Sequence, residues 1–175
     1  MRWLWIDRIV VIEPGHRLVA VKHVSFSEEH LEDHFPAENN GETPPLAVMP
    51  ASLIIEGAAQ TAGILVAHAR NFTEKVILAK INKATIELDA QPGDTIRFDA
   101  CIQRIDDAGA LARVLLAIAP PDAPAYPVQA GAIEILFSHI DKNLKGAEFP
   151  EHNFVFGESF DMLLKASGVS IPPNI

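Results

Sequence analysis

Glu56 is the only charged side chain between Pro50 and Ala67, in the run ASLIIEGAAQTAGILVAHAR. On a helix, Ser52, Glu56 and Gln60 recur every fourth residue and draw one polar line along an otherwise apolar rod. A solvated face would carry several charges at spacings of three and four, and this segment does not. Two readings follow. Glu56 stands at an edge in a structural hydrogen bond with Gln60, or it is a carboxyl in a pocket, where desolvation favours the protonated form and makes it a proton donor. His34, in Asp33-His34-Phe35-Pro36, has a rigid apolar wall beside it. Alone it reads as a structural or solvated histidine. Facing Glu56 it forms a base–acid pair, which is what removal of water from a substrate requires.

Other candidates are weaker. Ser52, Thr61 and Ser138 lack a Ser-His-Asp context or a nucleophile-elbow sequence. Cys101 falls mid-strand and reads as a small core residue. His23, His30 and His34 lie among Glu28, Glu29, Glu32 and Asp33, but the run does not match a helical metal pair such as HExxH. With no glycine-rich phosphate loop and no dinucleotide fingerprint, the expectation is neither metal nor cofactor.

The elements that must position these residues follow from periodicity. The 175 residues carry 14 basic and 23 acidic side chains, net charge −9, and are 49% hydrophobic. A chain of this kind folds, as one domain with or without a tail. The absence of a basic cluster argues against nucleic acid and anionic membrane, and weakly against long-range attraction to an acidic protein. One cysteine excludes an internal disulfide, no apolar run reaches the length of a membrane span, and the charged start is neither leader nor anchor, so a reducing, cytoplasmic setting is expected. Pro14-Gly15 turns between alternating runs Ile9–Ile12 and Arg17–Phe26, a hairpin. Glu28–Pro36 allows a short helical turn, and Ala37–Leu46, with Asn39-Asn40-Gly41 and Pro44-Pro45, is a loop. Pro50 suits a first helical turn, and the apolar run to Arg70 reads as a long buried helix. Val76–Lys80 and Thr85–Leu88 form one strand with an irregularity at Asn82. Ile96–Ile105, Leu111–Ala119 and Val128–Phe137 follow as strands, separated by Pro92-Gly93-Asp94, Asp106–Gly109 and the corner Pro120–Pro127. Long strands with short turns predict a meander, and the class is α+β. Residues 1–138 form the domain. Residues 139–175 are an extension packed on it or on a neighbouring subunit, with a helix at Glu158–Ala166 stopped by Gly168.

The segments WIDRIVVIEPGHRLVAVKHVSFSEEHLEDHFP, MPASLIIEGAAQTAGIL and AKINKATIELDAQPGDTIRF, in that order over about residues 5–139, resemble the β-hydroxyacyl-acyl carrier protein dehydratases of fatty-acid synthesis. DHFP and MPxxLxxEGAAQ are specific in combination. The resemblance implies a hotdog fold, a long helix wrapped by an antiparallel sheet. It implies that His34 and Glu56 are catalytic, contributed by different subunits to one acyl tunnel. A glutamate at 56 resembles the branch that dehydrates without isomerising. Ala51, where the family has glycine after MP, would offer its N–H to the thioester carbonyl, and would be strained were its φ positive. Pro50, Phe35 and Gln60 match substrate-lining positions. The implied partner is acyl carrier protein, or coenzyme A, bearing a 3-hydroxyacyl group, on a homodimer or trimer of dimers, with no nucleic acid and no membrane. No cofactor is needed, since the thioester itself acidifies the α-proton. Asn82 and Thr85 stand where the family has aspartate and arginine, leaving Lys80, Lys83 and Arg97 as the basic groups available for an acidic carrier.

Two alternatives stay open. An acyl-coenzyme A thioesterase would use Glu56 to activate water, although the DHFP histidine argues against it. A non-catalytic, tunnel-shaping subunit fits the loop insertion between residues 37 and 48, Ala51 and the lost arginine.

Overall fold

A computed structural model describes residues 3–37, 46–140 and 157–169. Most of the asparagine-, glycine- and proline-rich loop falls outside them, as do residues 141–156 and 170–175. The chain forms β1 (Arg8–Glu13), β2 (Arg17–His23), α1 (Glu29–Asp33), α2 (Ala51–Ala69), β3 (Val76–Ile86), β4 (Thr95–Asp106), β5 (Gly109–Ala119), β6 (Val128–His139) and α3 (Glu158–Ala166). All six strands join one antiparallel sheet in the order β1-β2-β4-β5-β6-β3.

That order corrects the simple meander. β4, β5 and β6 follow one another, but β3 pairs with β6 at the far edge and β2 pairs with β4. The reason is α2. It lies between β2 and β3 in sequence and carries the chain from one side of the sheet to the other. Its buried residues, Ile54 and Gly57 to Ala67, meet the inward side chains of every strand group around it, including Leu18, Phe98, Val114 and Ile133. Alternation supplies those inward positions: in β5, Ala110, Ala112, Val114, Leu116 and Ile118 are buried. A long helix wrapped by a curved antiparallel sheet is the hotdog arrangement.

α2, at 19 residues, is long and apolar enough by composition to cross a membrane, which corrects the expectation that no run reaches that length. Here 61% of its 18-residue window is buried inside the fold, as for the core helix of a globular domain. At Gly57 the helix touches its surroundings closely. A Cβ there would sit 2.7 Å from the Phe98 ring and 2.8 Å from the Trp5 carbonyl oxygen.

In β3 the register passes from Ile81↔Ile135 to Lys83↔Glu134, so Asn82 drops out of the ladder, and its amide donates to Glu134 Oε1 at 2.9 Å. A second shift lies between Leu78 and Lys80. α3 occupies the residues read from the sequence, and Gly168 follows it at φ 72°. Leu163, Leu164 and Val169 enter the core, and the Ser167 hydroxyl accepts from Ile9 N at 3.0 Å on β1.

Candidate active site

Glu56 lies half-buried on α2, on the wall of a mostly apolar groove of about 310 Å³. The groove is bounded by α2 (Ala59, Gly63), β3 (Val76 to Leu78), Phe137 of β6, Phe160 of α3 and Trp3. Glu56 is its one carboxylate among the described residues. Two donors converge on the same oxygen, Oε1: Gln60 Nε2 at 2.9 Å and Trp3 Nε1 at 3.3 Å. The same amide is tied to the main chain of the N-terminal segment. Gln60 Nε2 donates to Trp3 O at 3.1 Å, and Gln60 Oε1 accepts from Trp5 N at 2.9 Å. Gln60 is 7% exposed, and its three hydrogen bonds couple the acid to the strap Trp3–Trp5. The structure shows the hydrogen bond to Gln60 and places the Glu56 side chain on the wall of an apolar groove.

The strap continues toward His34. Trp3 and Trp5 meet edge to face at 5.4 Å, and Trp5 meets the His30 ring of α1 at 5.1 Å. Burial against Trp5 and its surroundings lowers the His30 pKa from 6.5, with the Glu28 carboxylate working in the opposite direction. α1 is anchored by Leu31 in the core and by Lys22, buried on β2, whose Nζ donates to Glu28 Oε1 at 2.6 Å. His34 follows at the end of α1, exposed, its ring edge-on to Phe35 at 4.6 Å. Phe35 O accepts from Leu46 N at 3.1 Å, and Met49 N donates to Ala90 O at 2.8 Å, which seats Pro50 at the start of α2. Ala51 opens the helix, exposed, where first-turn N–H groups lack helical acceptors and carry the positive end of the dipole. Among the described residues the non-glycines with positive φ are Asn71 and Phe72, so Ala51 carries no such strain.

Thus Glu56, Gln60 and the groove come together within one chain, while His34, Phe35, Pro50 and Ala51 lie outside the groove lining. Trp3 and Phe160, which line the groove, were missed by sequence reasoning. Trp3 had no local signal, because its partner is 53 residues away. The amphipathic pattern of α3 announced a packed helix but not what Phe160 would face.

Cys101 corrects an expectation. It lies mid-strand in β4 but is exposed, not in the core. Partial burial and the Asp99 carboxylate push its thiol pKa up, so it is a poor nucleophile. Among the described residues no group of three His, Cys, Asp or Glu side chains could hold a metal ion. Lys83 lines a separate polar cleft with Arg113, Glu87 and Glu134, and Arg97 stands 3.9 Å from Asp99.

Known proteins bear on this geometry in two ways. The 3-hydroxyacyl-acyl-carrier-protein dehydratase FabZ of Clostridium tetani is 39% identical over 97 residues, covering 55% of this chain and 63% of that protein. FabZ of Clostridium kluyveri is 33% identical over 112 residues, covering 63% and 72%. Among solved structures, an acyl-CoA hydrolase of Staphylococcus aureus in complex with butyryl coenzyme A superposes with TM-score 0.55 at 11% identity, covering 71% of this chain and 66% of that one. A thioesterase family protein from Silicibacter pomeroyi gives 0.56 at 12%, covering 75% and 82%. At such identities these two establish the hotdog architecture alone. A FabA-like domain matches residues 1–119, from the N-terminal strap through β5 and including DHFP and the whole of α2, and the chain belongs to that family.

Proposed function

We propose that the protein dehydrates a 3-hydroxyacyl thioester to the trans-2-enoyl thioester, in fatty-acid or related lipid or polyketide synthesis. The observation that carries this reading is Glu56, a single carboxylate held by Gln60 and Trp3 beside an apolar groove. His34 removes the proton α to the thioester. The Ala51 N–H, at the positive end of α2, stabilises the enolate-like oxygen that develops. The C–O bond to the β-hydroxyl breaks as Glu56, or a water it holds, protonates the leaving oxygen, and water departs as the double bond forms. Gln60, Phe35 and Pro50 shape the surroundings of the thioester. The thioester supplies the acidity, so the reaction calls for no cofactor.

The substrate arrives on acyl carrier protein, or on coenzyme A. Lys80, Lys83 and Arg97 are the basic groups offered to an acidic carrier. His34 and Glu56 meet across a homodimer. Supporting this, β3 is an edge strand and exposes Leu78 (43%) and Ile81 (38%), an apolar strip suited to a second copy. Residues 139–175 act as an extension of the domain 1–138, and the setting is reducing and cytoplasmic.

The test is direct. The purified chain is mixed with 3-hydroxyacyl thioesters on carrier protein and on coenzyme A, and the conjugated enoyl product is followed by absorbance. His34→Ala should lower turnover by about a hundredfold or more with the melting temperature unchanged. Release of free thiol in place of enoyl product would indicate a thioesterase, and no turnover of either kind would indicate a non-catalytic subunit.

A further inference from the structure

The groove beside Glu56 is built from two sources. Trp3, α2 and β3 belong to the portion matched by the FabA-like domain, and Phe137 belongs to the β6 strand that completes the same sheet. Phe160 belongs to α3, beyond residue 119 and beyond the sheet altogether. α3 packs against β1 and contributes to the groove. Its C-terminal end is fastened to β1 by the Ser167–Ile9 hydrogen bond, while Phe160, near its N-terminal end, faces Val76, Ile77 and Leu78 of β3 at the opposite edge. Leu163 and Leu164, buried at 6% and 1%, hold the helix there.

The groove follows α2 from Glu56 past Ala59 to Gly63, about 10 Å along the axis at the helical rise per residue. At the far end Gly63 leaves room that a side chain would fill, for a Cβ there would lie 3.5 Å from the Phe137 ring. Ala59, Gly63 and Phe137 form a fixed floor, since each is locked in α2 or the sheet. Phe160 is the large boundary side chain on a separately attached element. An apolar occupant laid along α2, with its polar head at Glu56, shares the groove with that ring.

We propose that Phe160 sets the length of acyl chain the protein accepts. The helix after the sheet is thereby a specificity element, and its first turn is a stop for the hydrocarbon. The occupant is the alkyl tail of an acyl thioester, which rests on the dehydratase reading for its head group but not for its tail.

Binding and turnover are measured separately on the full chain. Saturated acyl-pantetheine thioesters of increasing length are titrated by calorimetry into wild type, Phe160→Ala and Phe160→Trp, each first checked for an unchanged melting transition. Wild type should tighten with length up to a limit and weaken beyond it. Phe160→Ala should bind the first rejected length about tenfold more tightly or better, and Phe160→Trp, which adds bulk at the same place, should move the limit to shorter chains. Coincident length profiles in wild type and Phe160→Trp overturn the proposal, even if Phe160→Ala is destabilised. Dehydration by wild type and Glu56→Gln is assayed in parallel. A shifted length limit without dehydration leaves the stop in place and removes the dehydratase reading. Dehydration lost in Glu56→Gln, with coincident length profiles, does the reverse.

Discussion

Gln60 does two jobs with one amide. It donates to Glu56 and it joins both main-chain groups of the strap, Trp3 O and Trp5 N. Gln60→Leu keeps the volume roughly but strands those partners, so stability should fall by about 2 kcal/mol, read as a shift in denaturant midpoint. Turnover should fall further than Gln60→Glu or Gln60→His restores, because only the amide pairs with an N–H, a carbonyl and a carboxylate together. His68, at the end of α2, is held below its ordinary pKa of 6.5 by burial, and its Nδ1 is buried without a hydrogen-bond partner among the described residues. A histidine with a depressed folded pKa binds fewer protons folded than unfolded, so its burden on stability grows as pH falls below 6.5. The melting temperature should therefore drop between about pH 7 and pH 5, and His68→Leu should make that drop shallower. Glu56 was legible in the sequence because a lone charge on an apolar helix is anomalous without any structure. Trp3 was not, because a tryptophan two residues from the chain's other one says nothing about which carboxylate its indole will find.

At the scale of elements, α2 is the axle and its small residues decide how close the sheet can come. Gly57→Ala would place a methyl against the Trp5 carbonyl, which is backbone and cannot swing aside. The expected result is a loss of about 1–3 kcal/mol in chemical denaturation, together with displacement of the strap, seen as a change in tryptophan fluorescence. Gly63→Ala, facing only the Phe137 ring at ordinary contact distance, should leave stability nearly unchanged. Element boundaries were largely legible, because period-two alternation in β4, β5 and β6 and the glycine stop after α3 are local signals. Even the irregularity at Asn82 could be read, since a polar residue interrupts the apolar run of β3. The strand order could not. Pairing of β3 with β6 joins Val76 to His139 across more than sixty residues, and nothing in either segment names its partner. Cys101 shows the same limit on burial: it alternates with buried Ala100 and so points out of the sheet, and its small apolar character misdirected the expectation.

At the scale of the whole molecule, the site as proposed is complete only when two copies meet, and the proposal has them meet along the exposed strip of β3. Ile81→Glu should convert a dimer into monomers by analytical ultracentrifugation and abolish turnover without unfolding the sheet. A complementation experiment separates sharing from mere proximity. Co-expressed His34→Ala and Glu56→Gln chains, each inactive alone, should regain about a quarter of wild-type turnover, since half of random pairs are mixed and each mixed pair has one intact site of two. No recovery would mean that both groups act within one chain. The strap that reaches Glu56 also has a bearing on handling. Trimming the chain ahead of Asp7 would leave the six strands and their helix whole, yet it would take the indole and both amide anchors from the acid. Such a clipped sample would also lose Ile6, 1% exposed in the core, so it would melt earlier while the fraction of competent molecules declined, and intact mass would identify the cause.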